Sequence, residues 1–225
     1  GEINDLSKIL KPNIGIITNI GEAHLGNLGS VNNIAKAKSE IIKNITKNGA
    51  IILNRDSKFY EKLKKISKYN KLKILSFGSN VRSTISYKIL SSNTVQIKLR
   101  NKVFKLKVIN NNSNNVENIM VCFLVLNYLN LNINLAKIIL KNIRSVRGRG
   151  NIVKINKNIS IIDDSYNSNP TSLKKSISEF HYFKTNKNKI LVLGDMLELG
   201  KFSKSKHLEI GKFLKLFKFD RIYLV

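Results

Sequence analysis

In the stretch VNNIAKAKSEIIKNI, residues 31–45, two nearby lysines fall in opposite surroundings. Wound as a helix at about 100° per residue, Val31, Ile34, Ala35, Ile41, Ile42 and Ile45 share one apolar stripe. Lys36 falls almost opposite that stripe and Lys38 at its centre. A buried ammonium loses solvation, so its pKa falls and the neutral amine becomes populated. Two outcomes are open. The side chain snorkels to water or pairs with Glu40 or a distant carboxylate, or the amine is nucleophilic enough to add carbon dioxide. The carbamate so formed is an anionic oxygen ligand suited to a hard cation such as Mg²⁺. His24, in the loop GEAHLGNLGS before the helix, is a candidate second ligand, against the plainer reading of an exposed loop histidine.

Two further segments carry polar chemistry. IIDDSYNSNPTS (161–172) gathers acids and amides where a strand meets a helix, the place where open α/β sheets bind ligands. Asn169 and Pro170 serve equally as helix-start residues. GDMLELGKF (194–202) has five residues between its glycines where a phosphate-binding loop has four. It also has Phe202 where Ser or Thr must hold Mg²⁺. It is not a P-loop, and no other segment supplies one.

These residues need elements to hold them. NIGIITNI (13–20), GAIILN (49–54) and KILSFG (73–78) read as buried strands, and SKFYEKLKKISKY (57–69) as a helix. From 83 to 109 the pattern alternates with Ser-Asn and Arg-Asn-Lys turns, which predicts an antiparallel meander. Helices follow at about 116–130 and 134–144. SVRGRGN (145–151) reads as a hinge, and beyond it the pattern runs β-α-β-α-β to Val225, the start of a doubly wound parallel sheet.

Composition narrows the function. The 225 residues carry a net charge of +26, which would suit nucleic acid, but lysine far outnumbers arginine and is spread evenly with Asn and Ile. No basic stripe interleaved with aromatics occurs, so no specific nucleic-acid partner is expected. The longest apolar run, IMVCFLVL (119–126), is too short to span a membrane and reads as part of a buried helix. Its Cys122, the single cysteine, reads as a small core residue, which leaves no disulfide or Cys-based metal site. No charged-then-apolar leader opens the sequence, and a cytoplasmic monomer is expected.

Taken together, TNIGEAHLGNLGS…AKAKSE, NNVEN, RGRGN, DDSYNSNP and GDMLELG resemble, in order and across nearly the whole chain, the Mur ligases of peptidoglycan synthesis. The YNSNP and GDMLELG forms are most similar to the branch that adds D-alanyl-D-alanine to the UDP-N-acetylmuramoyl-tripeptide. The resemblance implies an α/β fold: residues 1–146 as central ATPase domain with a mixed sheet, and 147–225 as the start of a Rossmann-like C-terminal domain. It implies an internal fragment, with the family's GTNGKT loop before Gly1 and more C-terminal domain after Val225, and a chain inactive by itself.

The same resemblance implies ATP and Mg²⁺ as cofactors, UDP-N-acetylmuramoyl-tripeptide and D-Ala-D-Ala as substrates, and reaction through an acyl phosphate. Lys38 would be carbamylated and place Mg²⁺ with His24. Asn115 and Asn118 would hold the adenine, Arg149 would reach the phosphates, and Asp164 would contact ribose. The chain departs from the family at Asn112, Ser113 and Asn114, where a glycine-basic-histidine lead is usual, and at Arg147, which replaces a hinge proline. A folylpolyglutamate synthase-like amide ligase and a basic nucleic-acid-binding module are the alternatives. Tyr166, Asn167, Asn169 and Glu198 receive no role at this level.

Overall fold

The structure, a computed structural model, describes residues 1–91, 94–107, 113–132, 134 and 146–225, without the side chains of 113–115. The helix expected at 134–144 lies outside the described residues, apart from Asn134. The chain forms two compact units, Gly1–Ile20 with Ala35–Ile143, and Gly21–Ile34 with Arg144–Val225.

The first unit opens with helix α1 (Glu2–Leu10), which sequence reading did not anticipate. Ile3, Leu6 and Leu10 recur there at helical spacing, yet it is Ser7 that is buried, satisfied by Asn4 and Asn44, while Leu6, Ile9 and Leu10 stay exposed. Strand β1 (Ile14–Ile17) follows, then the one-turn helix α2 (Leu25–Leu28) of the second unit, then α3 (Val31–Ser39). The helix expected to reach residue 45 tightens instead into a 3₁₀ turn over Glu40–Asn44, which buries Ile42 completely.

Strands β2 (Ala50–Asn54) and β3 (Lys73–Gly78) flank helix α4 (Tyr60–Tyr69), and β4 (Ile85–Ser91), β5 (Thr94–Leu99) and β6 (Lys102–Lys107) complete one six-stranded sheet in chain order. Pairing is parallel from β1 to β4 and antiparallel from β4 to β6, the mixed sheet with the expected meander. Composition explains the change. Ala50–Leu53 of β2 are all buried, as a strand covered on both faces requires, whereas β5 alternates, with Val95, Ile97 and Leu99 inward. Helix α5 (Ser113–Tyr128) seals one face with Val116, Met120, Phe123 and Leu124, and Phe123 meets Phe104 edge-on at 5.7 Å. Cys122 is exposed, which corrects its reading as a core residue. It sits two positions from Met120, about 200° around the helix and so off the buried stripe.

In the second unit β7 (Asn151–Lys154) and β8 (Ser160–Asp163) form an antiparallel hairpin. Helix α6 (Pro170–Tyr182), β9 (Ile190–Leu193), α7 (Ser203–Leu214) and β10 (Arg221–Leu224) follow, with β9 and β10 parallel. The expected β-α-β-α-β order is present, but β8 does not join the parallel pair. Asn156 accepts from the backbone of Asn158 and Ile159, closing a tight turn that gives β8 a neighbour close in sequence. No helix among the described residues is long and apolar enough to cross a membrane.

Candidate functional site

Lys36 is exposed and Lys38 half-buried, as the helical stripe requires. The Lys38 Nζ donates to the carbonyl oxygen of Asn19 at 2.8 Å. It borders a cleft of about 220 Å³ whose lining includes Ile3, Ile16, Thr18 and Ile41. Burial holds the ammonium below its usual pKa. Neither Glu40 nor another described carboxylate pairs with it; Glu40 accepts from the Asn4 backbone instead. An amine with a lowered pKa, anchored to one carbonyl beside open space, is a competent nucleophile toward carbon dioxide.

His24 belongs to the second unit. It starts α2 with left-handed backbone, φ 61°, and its Nδ1 lies 2.5 Å from Oε2 of Glu198. Gly26 N–H donates to the Glu198 carbonyl at 2.8 Å. A Cβ on Gly26 would lie 2.7 Å from the Gly200 nitrogen, so only glycine allows this approach. Glu22 pairs with Lys206, Lys206 with Glu209, and Glu209 with Lys174, joining the loop to α7 and α6. The two glycine-rich motifs read separately in sequence are therefore one structure. Nothing in their sequences announced this contact, except that each holds a glycine where backbones meet.

The hinge is equally built. Gly148, at φ 74°, donates its N–H to Asn151 Oδ1 and Asp163 Oδ2. Hydrogen bonds from the Ser165 hydroxyl, then from its backbone, hold the Asp163 carboxyl below its usual pKa. The neighbouring acid differs: Asp164 is exposed and accepts from the Ser176 hydroxyl at 2.6 Å. Arg149 is exposed, its guanidinium 4.2 Å from the centre of the Tyr166 ring. Asn169 and Ser172 form a reciprocal capping box with Pro170 in the first turn, so these three start α6. His207 is a structural histidine, its Nδ1 on the Ser203 carbonyl and its Nε2 accepting from the Met196 N–H.

Asn118 is exposed on α5, beside Glu117, which accepts from Asn54. The side chain of Asn115 lies outside the described residues. No three His, Cys, Asp or Glu side chains converge as a metal site among the described residues.

Residues 1–126 match the Mur ligase middle domain and residues 148–225 the Mur ligase glutamate ligase domain. The chain belongs to the Mur ligase family. Its sequence is MurF-like. It is 34% identical to the UDP-N-acetylmuramoyl-tripeptide–D-alanyl-D-alanine ligase of Rickettsia prowazekii, over 100% of this chain and 51% of that protein. A crystal structure of MurF from Acinetobacter baumannii superposes with a TM-score of 0.88 at 27% identity, covering 99% of this chain and 48% of that one. MurF from Thermotoga maritima in complex with ADP gives 0.85 at 28%, covering 100% and 51%. The chain thus spans about half the length of the relatives it matches.

Within this Mur ligase chain, Lys38 lies in the first unit with Asn118, while His24, Arg149 and Asp164 lie in the second. The second unit draws residues 21–34 out of the middle-domain match, so the His24 loop packs with the glutamate-ligase segment.

Proposed function

We propose that this chain supplies Mg²⁺- and nucleotide-binding residues and part of the C-terminal domain of a ligase that joins D-alanyl-D-alanine to UDP-N-acetylmuramoyl-tripeptide. The observation that carries the reading is Lys38: half-buried, depressed in pKa and bound to a carbonyl beside a cleft, while Lys36 is free in solvent. A MurF-like sequence along the whole chain supports the substrate pair.

In the proposed reaction the tripeptide carboxylate attacks the γ-phosphorus of ATP, the bond to ADP breaks, and an acyl phosphate forms. The amine of D-Ala-D-Ala then attacks the acyl carbon, gives up a proton, and phosphate departs. Lys38, as a carbamate, and His24 would hold Mg²⁺, which when bound neutralises phosphate charge as it is redistributed. Arg149 would add a guanidinium for the phosphates, which suits its exposure and its loosely held position on Tyr166. Asp164 would accept from ribose hydroxyls, and Asn115 and Asn118 would hold the adenine. Catalysis so arranged is mostly positioning.

Two measurements test this. With ¹³C-bicarbonate the chain should show a carbamate carbon resonance that Lys38→Ala abolishes and Lys36→Ala retains. A chimera carrying these 225 residues in place of the matching half of the Rickettsia prowazekii relative should release phosphate only with both substrates present, and Lys38→Ala should lower turnover by orders of magnitude. Turnover equal in the Lys38→Ala and unmodified chimeras would overturn the assignment.

A further inference from the structure

Asn54 ends β2, and its side chain ties together separate stretches of the first unit. Its Nδ2 donates to Oε2 of Glu117, 63 positions later, at 3.2 Å, and its Oδ1 accepts from the Asp56 N–H at 2.9 Å. The Asp56 carboxylate in turn accepts from the backbone N–H groups of Ser79 and Asn80, just past the end of β3. Strands β1 to β4 run parallel, so β2 and β3 end on the same edge of the sheet. The bond from Asn54 brings the early part of α5 to that edge. Open α/β sheets bind ligands outside the carboxyl ends of their strands, and exposed Asn118 follows Glu117 directly there.

We propose that Asn54 is a positioning residue for the nucleotide base: through Glu117 it sets the turn of α5 that presents Asn118. Val116 and Met120 seat the helix in the core, but apolar packing has little direction. A hydrogen bond fixes one atom against another, and the bonds that read the edge of a base weaken steeply as their angles depart from straight. A turn free to shift on its apolar seat would hold the amide of Asn118 less well. The consequence for adenine rests on the reading of Asn118 given above, whereas the placement of the turn rests on the bonds of Asn54 alone.

The test compares ADP with inorganic pyrophosphate, which lacks the base, by titration calorimetry on the chimera with Mg²⁺. Asn54→Ser keeps a hydroxyl to accept from the Asp56 N–H but is too short to reach Glu117. It should weaken ADP binding about ten-fold or more and leave pyrophosphate within about two-fold. Asn54→Asp sets two carboxylates against each other and should also weaken ADP. Asn54→Asp with Glu117→Gln restores the bond with donor and acceptor exchanged and the net charge unchanged. That pair should return ADP affinity to within about three-fold of the unmodified chimera. Without ligand, amide exchange at residues 116–119 should quicken in Asn54→Ser and recover in the double variant. Unchanged exchange, or an equal loss of both ligands, would overturn the proposal. So would ADP affinity that falls in Asn118→Ala but not in Asn54→Ser. If exchange quickens while Asn118→Ala leaves ADP affinity intact, the adenine reading of Asn118 fails and the placement of its turn by Asn54 stands.

Discussion

The guanidinium of Arg149 rests 4.2 Å from the centre of the Tyr166 ring, and both side chains are exposed. A cation–π contact in water contributes only about 0.5–1 kcal/mol, so phosphates can draw the arginine away. Arg149→Ala should weaken ADP binding by about ten-fold or more, and Tyr166→Ala by less than about five-fold. Titration calorimetry on the chimera measures both. The reverse order would mean that the ring, not the guanidinium, holds the nucleotide.

The lowered pKa of Lys38 gives stability a defined dependence on pH. Below the folded value both states are protonated, and the native state bears the full desolvation penalty. Between the folded value and about 10.4, the unfolded chain binds more protons, so stability rises with pH. Urea unfolding in carbon dioxide-free buffer should show that rise in wild type and in Lys36→Met, and lose it in Lys38→Met. An unchanged slope in Lys38→Met would assign the titration elsewhere.

The ion pairs Lys174–Glu209–Lys206–Glu22 should stabilise the second unit over a wide plateau. Hydrogen bonds from Lys174, then Lys206, lower the Glu209 pKa, so its contribution is present above about pH 4.3 and is lost as pH falls through the folded value. Hydrogen bonds to Glu209, then Glu22, raise that of Lys206, so its share is complete below about pH 10.4 and is lost as pH rises through its folded value. Solvent screens these partly exposed pairs, and Glu209→Gln should cost at most about 1 kcal/mol near neutrality. A deficit that persists undiminished at about pH 2 would show that packing, not charge, is responsible.

Two glycines should respond to alanine with opposite sign. At Gly26 the new Cβ meets backbone atoms at 2.7 and 2.8 Å, and the loop must shift, costing about 1–3 kcal/mol. At Gly211, inside α7 with nothing within 4 Å, alanine should stabilise by up to about 1 kcal/mol. Thermal unfolding of the two variants decides this, and equal shifts would mean that the Gly26 loop has room to yield.

Much of this was legible in the residues because burial leaves a local periodic mark. The stripe that singled out Lys38, the alternation of β5 and the Asn169–Pro170 helix start are each properties of a few consecutive positions. The mark alone does not give burial. Helix α1 carries Ile3, Leu6 and Leu10 at helical spacing and was still missed, and it buries Ser7 while Leu6 and Leu10 stay exposed; Cys122 lies in an apolar run but on its outer side. Asp163 and Asp164 are adjacent and chemically equal, and only the path of the chain gave Asp163 the hinge N–H of Gly148 and Asp164 the Ser176 hydroxyl of α6.

By itself, then, the sequence determined most of the strands and helices, which of the two lysines is half-buried, and which family the motifs resemble. Tertiary structure alone decided which motifs touch. The meeting of His24 with Glu198 depends on two glycines, distant in sequence, letting two backbones approach. Such a contact is set by the packing of whole elements and leaves no period in either segment.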